Sequence, residues 1–130
     1  MTILVAYVPR PEGQAALEKG IELALASKEN LIVVNATPGG TGEDPSRADA
    51  QDVERVEQLI SVSGIKAEFK QFVRGKNAVE ELNDLVAAHS VSMLVIGLRK
   101  RTAVGKLIMG SMAQEILMTV ECPILAVKAN

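Results

Sequence analysis

The sequence predicts an α/β fold, with one domain built on an open, parallel, five-stranded sheet and helices on both faces. Two observations predict it. Five short apolar runs alternate along the chain with segments of helical spacing. The 130 residues suit one domain, and 48% of them are hydrophobic, which is enough to bury a core without disulfides or metals. No domain boundary or internal repeat interrupts the chain, so residues 1–130 are interpreted as one domain.

The apolar runs are the strand candidates, and they cover residues 3–8, 31–36, 67–73, 93–96 and 124–127. Strands that are apolar almost throughout indicate a sheet buried on both faces. Right-handed crossovers between parallel strands place the connecting helices over those faces. The five runs therefore predict a parallel sheet rather than an antiparallel one.

Four segments between the runs carry apolar residues at helical spacing. Their members are Leu17, Ile21, Ala24 and Leu25, then Val53, Val56, Leu59 and Ile60, then Val79, Leu82, Leu85 and Val86, and then Ala113, Ile116, Leu117 and Val120. Boundary signals agree with these helices. Asn77 with Glu80, and Ser111 with Gln114, have the spacing of a capping box. Gly64 is expected to end the second helix.

Two loop segments are expected to face one crevice. Residues 38–46 are rich in glycine and proline and follow the second strand, and residues 97–111 follow the fourth. Loops after the carboxyl ends of strands form the ligand-binding rim of open α/β sheets. A ligand site is therefore predicted at that edge of the sheet.

The segment 97–111 has the features of a phosphate-binding loop. Gly110 and Ser111 lie where a helix should start, and free N–H groups and the helix dipole there can bind an anion. Gly97 begins the segment, and its cations are Arg99, Lys100, Arg101 and Lys106. Nucleotide binding is the leading hypothesis, with Arg99 as the first candidate for a phosphate contact. The alternatives are a solvated group of charges, an ordinary N-cap at Ser111 and a tight strand exit at Gly97.

Composition argues against several other functions. Tyr7, Phe69 and Phe72 are the three aromatic residues and the formal charge is −2, so no nucleic-acid partner is expected. Cys122 is the single cysteine, which excludes an internal disulfide and favours a reducing, cytoplasmic location. The first apolar run is too short for a membrane span and lacks the features of a signal peptide, so no membrane partner is expected. No metal site is predicted.

Several of these features together resemble the universal stress protein family. They are Gly97, Gly110 and Ser111, the five-strand alternation and the C-terminal segment Cys122-Pro123-Ile124-Leu125-Ala126-Val127-Lys128. The signature of that family is a glycine, two residues, a glycine, nine residues, then glycine and serine or threonine. Lys100 occupies the position of the second glycine. The resemblance covers the whole chain.

The resemblance implies a Rossmann-like sheet, similar to that of adenine nucleotide alpha hydrolases, with strand order 3-2-1-4-5. It implies ATP or AMP, with or without Mg²⁺, in the crevice between strands 1 and 4. Gly97, Gly110 and Ser111 would approach phosphate and ribose oxygens, and the Lys100 ammonium would neutralise a phosphate. The backbone of Ala36 would bind adenine. Val8 departs from the family pattern, because many ATP-binding members have an aspartate there.

These observations lead to a small cytoplasmic stress-response protein that binds an adenine nucleotide and acts as a dimeric switch or scaffold. Its dimer would form through the edge strand from Ile124 to Val127, which would otherwise expose apolar backbone. The alternative is a dimer of the same fold that binds no ATP and acts through protein partners. An enzyme is disfavoured because the chain lacks a P-loop and an acidic metal site, so at most slow ATP hydrolysis is expected.

Overall fold

A computed structural model describes residues 1–35, 47–71, 78–100, 107–108 and 111–129. Strands and helices alternate through this part of the chain. The elements are β1 (Thr2–Tyr7), α1 (Pro11–Ser27), β2 (Asn30–Asn35), α2 (Ala50–Ser63), β3 (Ala67–Gln71), α3 (Ala78–Ala88), β4 (Val91–Lys100), β5 (Leu107–Ile108), α4 (Ser111–Thr119) and β6 (Ile124–Lys128). All five predicted strands and all four predicted helices are present.

The sheet has the predicted topology. β1 lies at its centre and pairs in parallel with β2 and with β4. β2 pairs in parallel with β3, and β4 pairs in parallel with β6. Counted over the five predicted strands, the order is therefore 3-2-1-4-5, which confirms the fold class. The carboxyl ends of β1 and β4 are neighbours, and this is the place where a crevice was predicted.

The fourth strand is longer than predicted, because β4 continues past residue 96 to Lys100. Leu98 is 7% exposed and lies in register with Lys128 of β6. Arg99 and Lys100 then pair antiparallel with the short strand β5. The interpretation of Gly97 as the start of a loop is wrong on this point. The apolar run stops before the strand does, since β5 supplies main-chain partners to residues that are themselves polar.

Alternate residues of each central strand face opposite sides of the sheet, and each side is covered by helices. Leu4 of β1 belongs to a cluster with α3 and α4, whereas its neighbours Ile3 and Val5 belong to a cluster with α1 and α2. This alternation is the period of two expected of a strand. The helices therefore lie on both faces, as predicted.

Local capping signals fix both ends of α2. The side chain of Asp49 accepts a hydrogen bond from the N–H of Asp52, and the side chain of Asp52 accepts one from the N–H of Asp49. This capping box was not predicted from the sequence. Gly64 ends the helix in the left-handed region, at φ 81°, as predicted. The two other proposed capping boxes involve Asn77 and the side chain of Ser111, which lie outside the described part of the chain.

A pH-sensitive hydrogen bond lies at the amino ends of the strands, away from the crevice at their carboxyl ends. Hydrogen bonds from Ser27 and from Ser92 lower the pKa of Glu29. A carboxylate whose pKa is lowered by folding stabilises the fold above its unfolded pKa, and this stabilisation is lost as the pH falls through the folded pKa. Replacing Ser92 with Ala should cost about 1 kcal/mol of unfolding free energy at pH 7 and less below pH ~4. Urea denaturation at both pH values measures this difference, and an equal cost at both would contradict it.

Among the described helices, none combines the length and the hydrophobicity that a membrane span requires.

Candidate functional site

A cavity of about 290 Å³ opens between the carboxyl ends of β1 and β4. Its size is at the lower end of the range of small-molecule sites, about 300 to 1,000 Å³. The described residues that line it come from these two strands, from the link between β1 and α1, and from the first turn of α1 and the first two turns of α4. They are Ala6, Tyr7, Val8, Arg10, Glu12, Gly13, Ile96, Gly97, Leu98, Arg99, Met112, Ala113 and Ile116.

The first turn of α1 packs directly against the ends of both strands. A Cβ atom on Gly13 would lie 1.8 Å from the carbonyl oxygen of Val8, and a Cβ on Gly97 would lie 1.9 Å from the carbonyl oxygen of Glu12. Only glycine allows main chains to approach so closely. Pro11 stands near the start of the helix, and Arg10 at the N-cap supplies no side-chain hydrogen bond. The positive end of the α1 dipole therefore lies beside the cavity.

Three charged residues are among the described residues that line the cavity, namely Arg10, Glu12 and Arg99. Arg99 Nε lies 3.4 Å from Glu12 Oε2. The Arg99 side chain is 62% exposed, whereas that of Glu12 is 13% exposed. The guanidinium is therefore accessible from solvent, and the carboxylate is held in the wall. An anionic ligand that approaches Arg99 competes with Glu12 for it.

The rest of the wall is largely apolar. Ala6, Ile96, Leu98 and Ile116 belong to the core cluster under α3 and α4 or pack against it. Met112 packs against the same cluster and extends it to the first turn of α4. A cavity with one apolar wall and charges on the other side suits a ligand that combines a ring system with an anionic group.

A buried amide joins the ends of three strands next to the cavity. Asn35 ends β2 and is 1% exposed. Its Nδ2 donates to the carbonyl oxygen of Tyr7 at 3.0 Å, and its Oδ1 accepts from the N–H of Ala48 at 2.8 Å and from Nε2 of Gln71 at 3.1 Å. Gln71 Nε2 also donates to the carbonyl oxygen of Ala48. The network holds the ends of β1, β2 and β3 and the residue before the N-cap of α2 in one arrangement.

Tyr7 couples the cavity to α2. Burial raises the pKa of its phenol, and the nearby Asp52 carboxylate acts in the same direction. Arg55 acts the other way through its charge and a side-chain hydrogen bond. The ring meets that of Phe69 edge-to-face, with centroids 6.2 Å apart. Tyr7 is thus a neutral, fixed part of the wall.

Comparison with known proteins agrees with this architecture. The model of the universal stress protein family matches residues 1–128. The chain belongs to this family. It is 42% identical, over 128 residues, to a universal stress protein of Mycolicibacterium smegmatis, and the match covers 98% of each protein.

Solved universal stress proteins share the fold. One from Archaeoglobus fulgidus superposes with a TM-score of 0.73 at 25% identity, covering 98% of this chain and 97% of that one. A structure of the universal stress protein from the same organism in complex with dAMP gives a TM-score of 0.68 at 19% identity, covering 98% and 96%.

The structure brings some of the predicted site residues together. Gly97 and Arg99 both line the cavity. Lys100 ends β4 and Ser111 begins α4, although the side chains of both lie outside the described part. Ala36 and Gly110 also lie outside it, as do residues 38–46, so their assignments stay predictions. The cavity lies between strands 1 and 4, where the resemblance to universal stress proteins implies the nucleotide.

Sequence reasoning missed Arg10, Glu12 and Gly13. The signal for Gly13 was present, because a glycine inside a helix costs about 1 kcal/mol relative to alanine and usually has a packing reason. Nothing in the sequence pattern indicated the ion pair of Glu12, since its partner Arg99 is 87 positions away. Val8 lines the cavity, so the departure from the universal stress protein pattern falls on the wall of the site.

Clusters that could hold a metal ion and the state of the cysteine thiol can be examined in the part of the chain that the structure describes. It contains no group of three or more histidine, cysteine, aspartate or glutamate side chains placed to hold a metal ion. Burial raises the pKa of the Cys122 thiol. A raised pKa keeps the thiol protonated, and a protonated thiol is a poor nucleophile.

Proposed function

We propose that this protein binds an adenine nucleotide in the cavity between β1 and β4. The phosphate would face Arg99 and the first turn of α4, and the base would lie toward Val8 and the end of β2. The single observation that carries the proposal is the cavity itself. It combines an apolar wall, an accessible guanidinium and the positive ends of α1 and α4 at the carboxyl edge of a parallel sheet. The universal stress protein solved with dAMP supports the same ligand class.

Binding rather than turnover is the proposed activity, within a cytoplasmic stress response. The nucleotide would act as a switch on a dimer, or on a scaffold for other proteins. Within the described residues β6 pairs with β4 alone, so its other edge is available to a second copy of the chain. ATP with Mg²⁺ belongs in the ligand panel beside AMP and dAMP, because the resemblance implies it.

Replacing Arg99 with Ala should weaken AMP binding about tenfold or more. A hydrogen bond to a charged group contributes roughly 1.5 to 3 kcal/mol, and every 1.4 kcal/mol is a factor of ten in the dissociation constant. Isothermal titration calorimetry of dialysed protein measures the dissociation constant of AMP for wild type and variant. Lys19→Ala is the matched control, because Lys19 is an exposed cation on α1 paired with Glu22. Equal weakening by both variants would indicate a loss of general charge attraction, not of a phosphate contact.

A nucleotide-free scaffold is the second candidate function. Two features of the wall favour it, namely the Glu12 carboxylate that engages Arg99 and the valine at position 8. On this alternative the wild-type protein gives no saturable heat with AMP, dAMP or ATP with Mg²⁺, and none of them displaces a fluorescent ATP analogue. Saturable binding of any one of them excludes it.

A further inference from the structure

We infer that Glu12 makes this site select a nucleotide with a single phosphate over a triphosphate. The inference rests on the proposed nucleotide function and deepens it, because it names the charge class of the ligand and the residue that sets it. It follows from where Glu12 is held and from what its carboxylate does to Arg99.

Glu12 has a fixed position in the wall. Its main chain packs against Gly97, where even a methyl group would collide with it, so the first turn of α1 cannot move toward β4. Glu12 lines the cavity, its side chain is 13% exposed, and its carboxylate lies beside Arg99. The dipole of α1 favours a negative charge in that first turn. A ligand group that binds Arg99 therefore lies close to this carboxylate.

The carboxylate limits how much negative charge the wall accepts. Among the described lining residues, Arg10 and Arg99 supply two positive charges and Glu12 supplies one negative charge. AMP carries about two negative charges at pH 7 and ATP about four, since the second ionisation of a phosphate monoester has a pKa near 6. Repulsion between like charges is stronger in a partly desolvated site than in water. Glu12 therefore repels each additional phosphate charge, and Arg99 is already paired with Glu12.

The test compares the dissociation constants of AMP and ATP, without Mg²⁺ so that the phosphate charges are not masked. Wild type, Glu12→Gln and Glu18→Gln are titrated under identical salt conditions. Glu18 is the matched control, because it is an exposed glutamate of the same helix and its loss changes the net charge equally. Glu12→Gln also leaves every other charge of the chain constant, including those outside the described ranges.

Wild type should bind AMP more tightly than ATP. In Glu12→Gln the dissociation constant of ATP should fall more than that of AMP, so that the ratio of the ATP constant to the AMP constant decreases at least about fivefold. Glu18→Gln should leave this ratio unchanged, because exposed charges are screened within about 8 to 10 Å. Glu12→Asp should keep the preference for AMP. Thermal unfolding of each free variant establishes that it is folded, and Glu12→Ala replaces Glu12→Gln if the latter is not.

Two results would overturn the inference while leaving the proposed function intact. One is a wild-type preference for ATP, and the other is a ratio that Glu12→Gln leaves unchanged while AMP still binds saturably. If neither nucleotide binds wild type or the charge-removing variant, both the inference and the proposed function are overturned.

Discussion

Replacing Asn35 with Ala should lower the free energy of unfolding by about 3 kcal/mol. Within the described part of the chain, the amide is hydrogen-bonded to the carbonyl oxygen of Tyr7, the N–H of Ala48 and the side chain of Gln71. Asn35 is 1% exposed and Ala48 is 4% exposed, so water has little access to the groups left behind. A buried polar group that loses its partner costs about 1 to 3 kcal/mol.

Urea denaturation of wild type and Asn35→Ala measures this effect, with the slope of the transition checked for an unchanged unfolding reaction. Asn30→Ala is the matched control, because Asn30 is the exposed first residue of the same strand. It should change the free energy by no more than about 0.5 kcal/mol. A loss below about 1 kcal/mol in Asn35→Ala would mean that water or a repacked Gln71 replaces the amide.

The Asn35 network also matters for the site. Asn35 immediately precedes Ala36, for which a contact with adenine is predicted, and Ala48 leads into the N-cap of α2. Tyr7, whose carbonyl oxygen accepts from Asn35, lines the cavity. One side chain therefore sets the relative positions of the cavity wall and the two chain ends that flank residues 36–46. We expect Asn35→Ala to weaken nucleotide binding as well as folding.

The fold was predictable because it depends on signals that are short in sequence. Central strands buried on both faces must be apolar throughout, and β2 shows this with Val33 in the cluster on one face and Val34 in the cluster on the other. Helices must repeat their apolar residues every three or four positions. When strands and helices alternate along the chain, the preference for short, right-handed connections allows only a few sheet topologies. The end of α2 was predicted for the same reason, since Gly64 adopts its left-handed conformation through local geometry alone.

The site was predictable only in part, because its contacts are distant in sequence. Gly97 was singled out by the spacing of the family signature, and Arg99 by its place among the cations that follow Gly97. Glu12 was missed because nothing near it marks a charge pair that the fold creates between α1 and β4. Asn35 was missed because it lies inside the predicted strand 31–36, and its partners Tyr7 and Gln71 are 28 and 36 positions away. The extension of β4 depends likewise on β5, which is too short to give a signal of its own.

Gly97 had two interpretations from the sequence, a close approach to the ligand or a tight strand exit, and the structure adds a third. The residue continues β4 in register with Val127, and its Cα faces the main chain of α1. A methyl group there would lie 1.9 Å from the carbonyl oxygen of Glu12 and 2.5 Å from its carbonyl carbon. Both are main-chain atoms, so no side-chain rotation relieves the collision. Gly97 is therefore required for packing even when no ligand is bound.

Gly97→Ala should lower the free energy of unfolding by about 3 kcal/mol in the absence of nucleotide, at the upper end of the usual cost of overpacking a core. Gly64→Ala is the control, because its added methyl group meets no atom within 4 Å. Its free energy of unfolding should fall only by the roughly 1 to 2 kcal/mol that an alanine costs in the left-handed conformation. Denaturation of both variants without ligand, followed by AMP titration below the transition, separates the interpretations. A Gly97→Ala protein as stable as wild type that no longer binds AMP would assign the glycine to the ligand. Loss of stability without ligand would assign it to the contact between α1 and β4, and reduced affinity would then follow from the displaced first turn that carries Glu12.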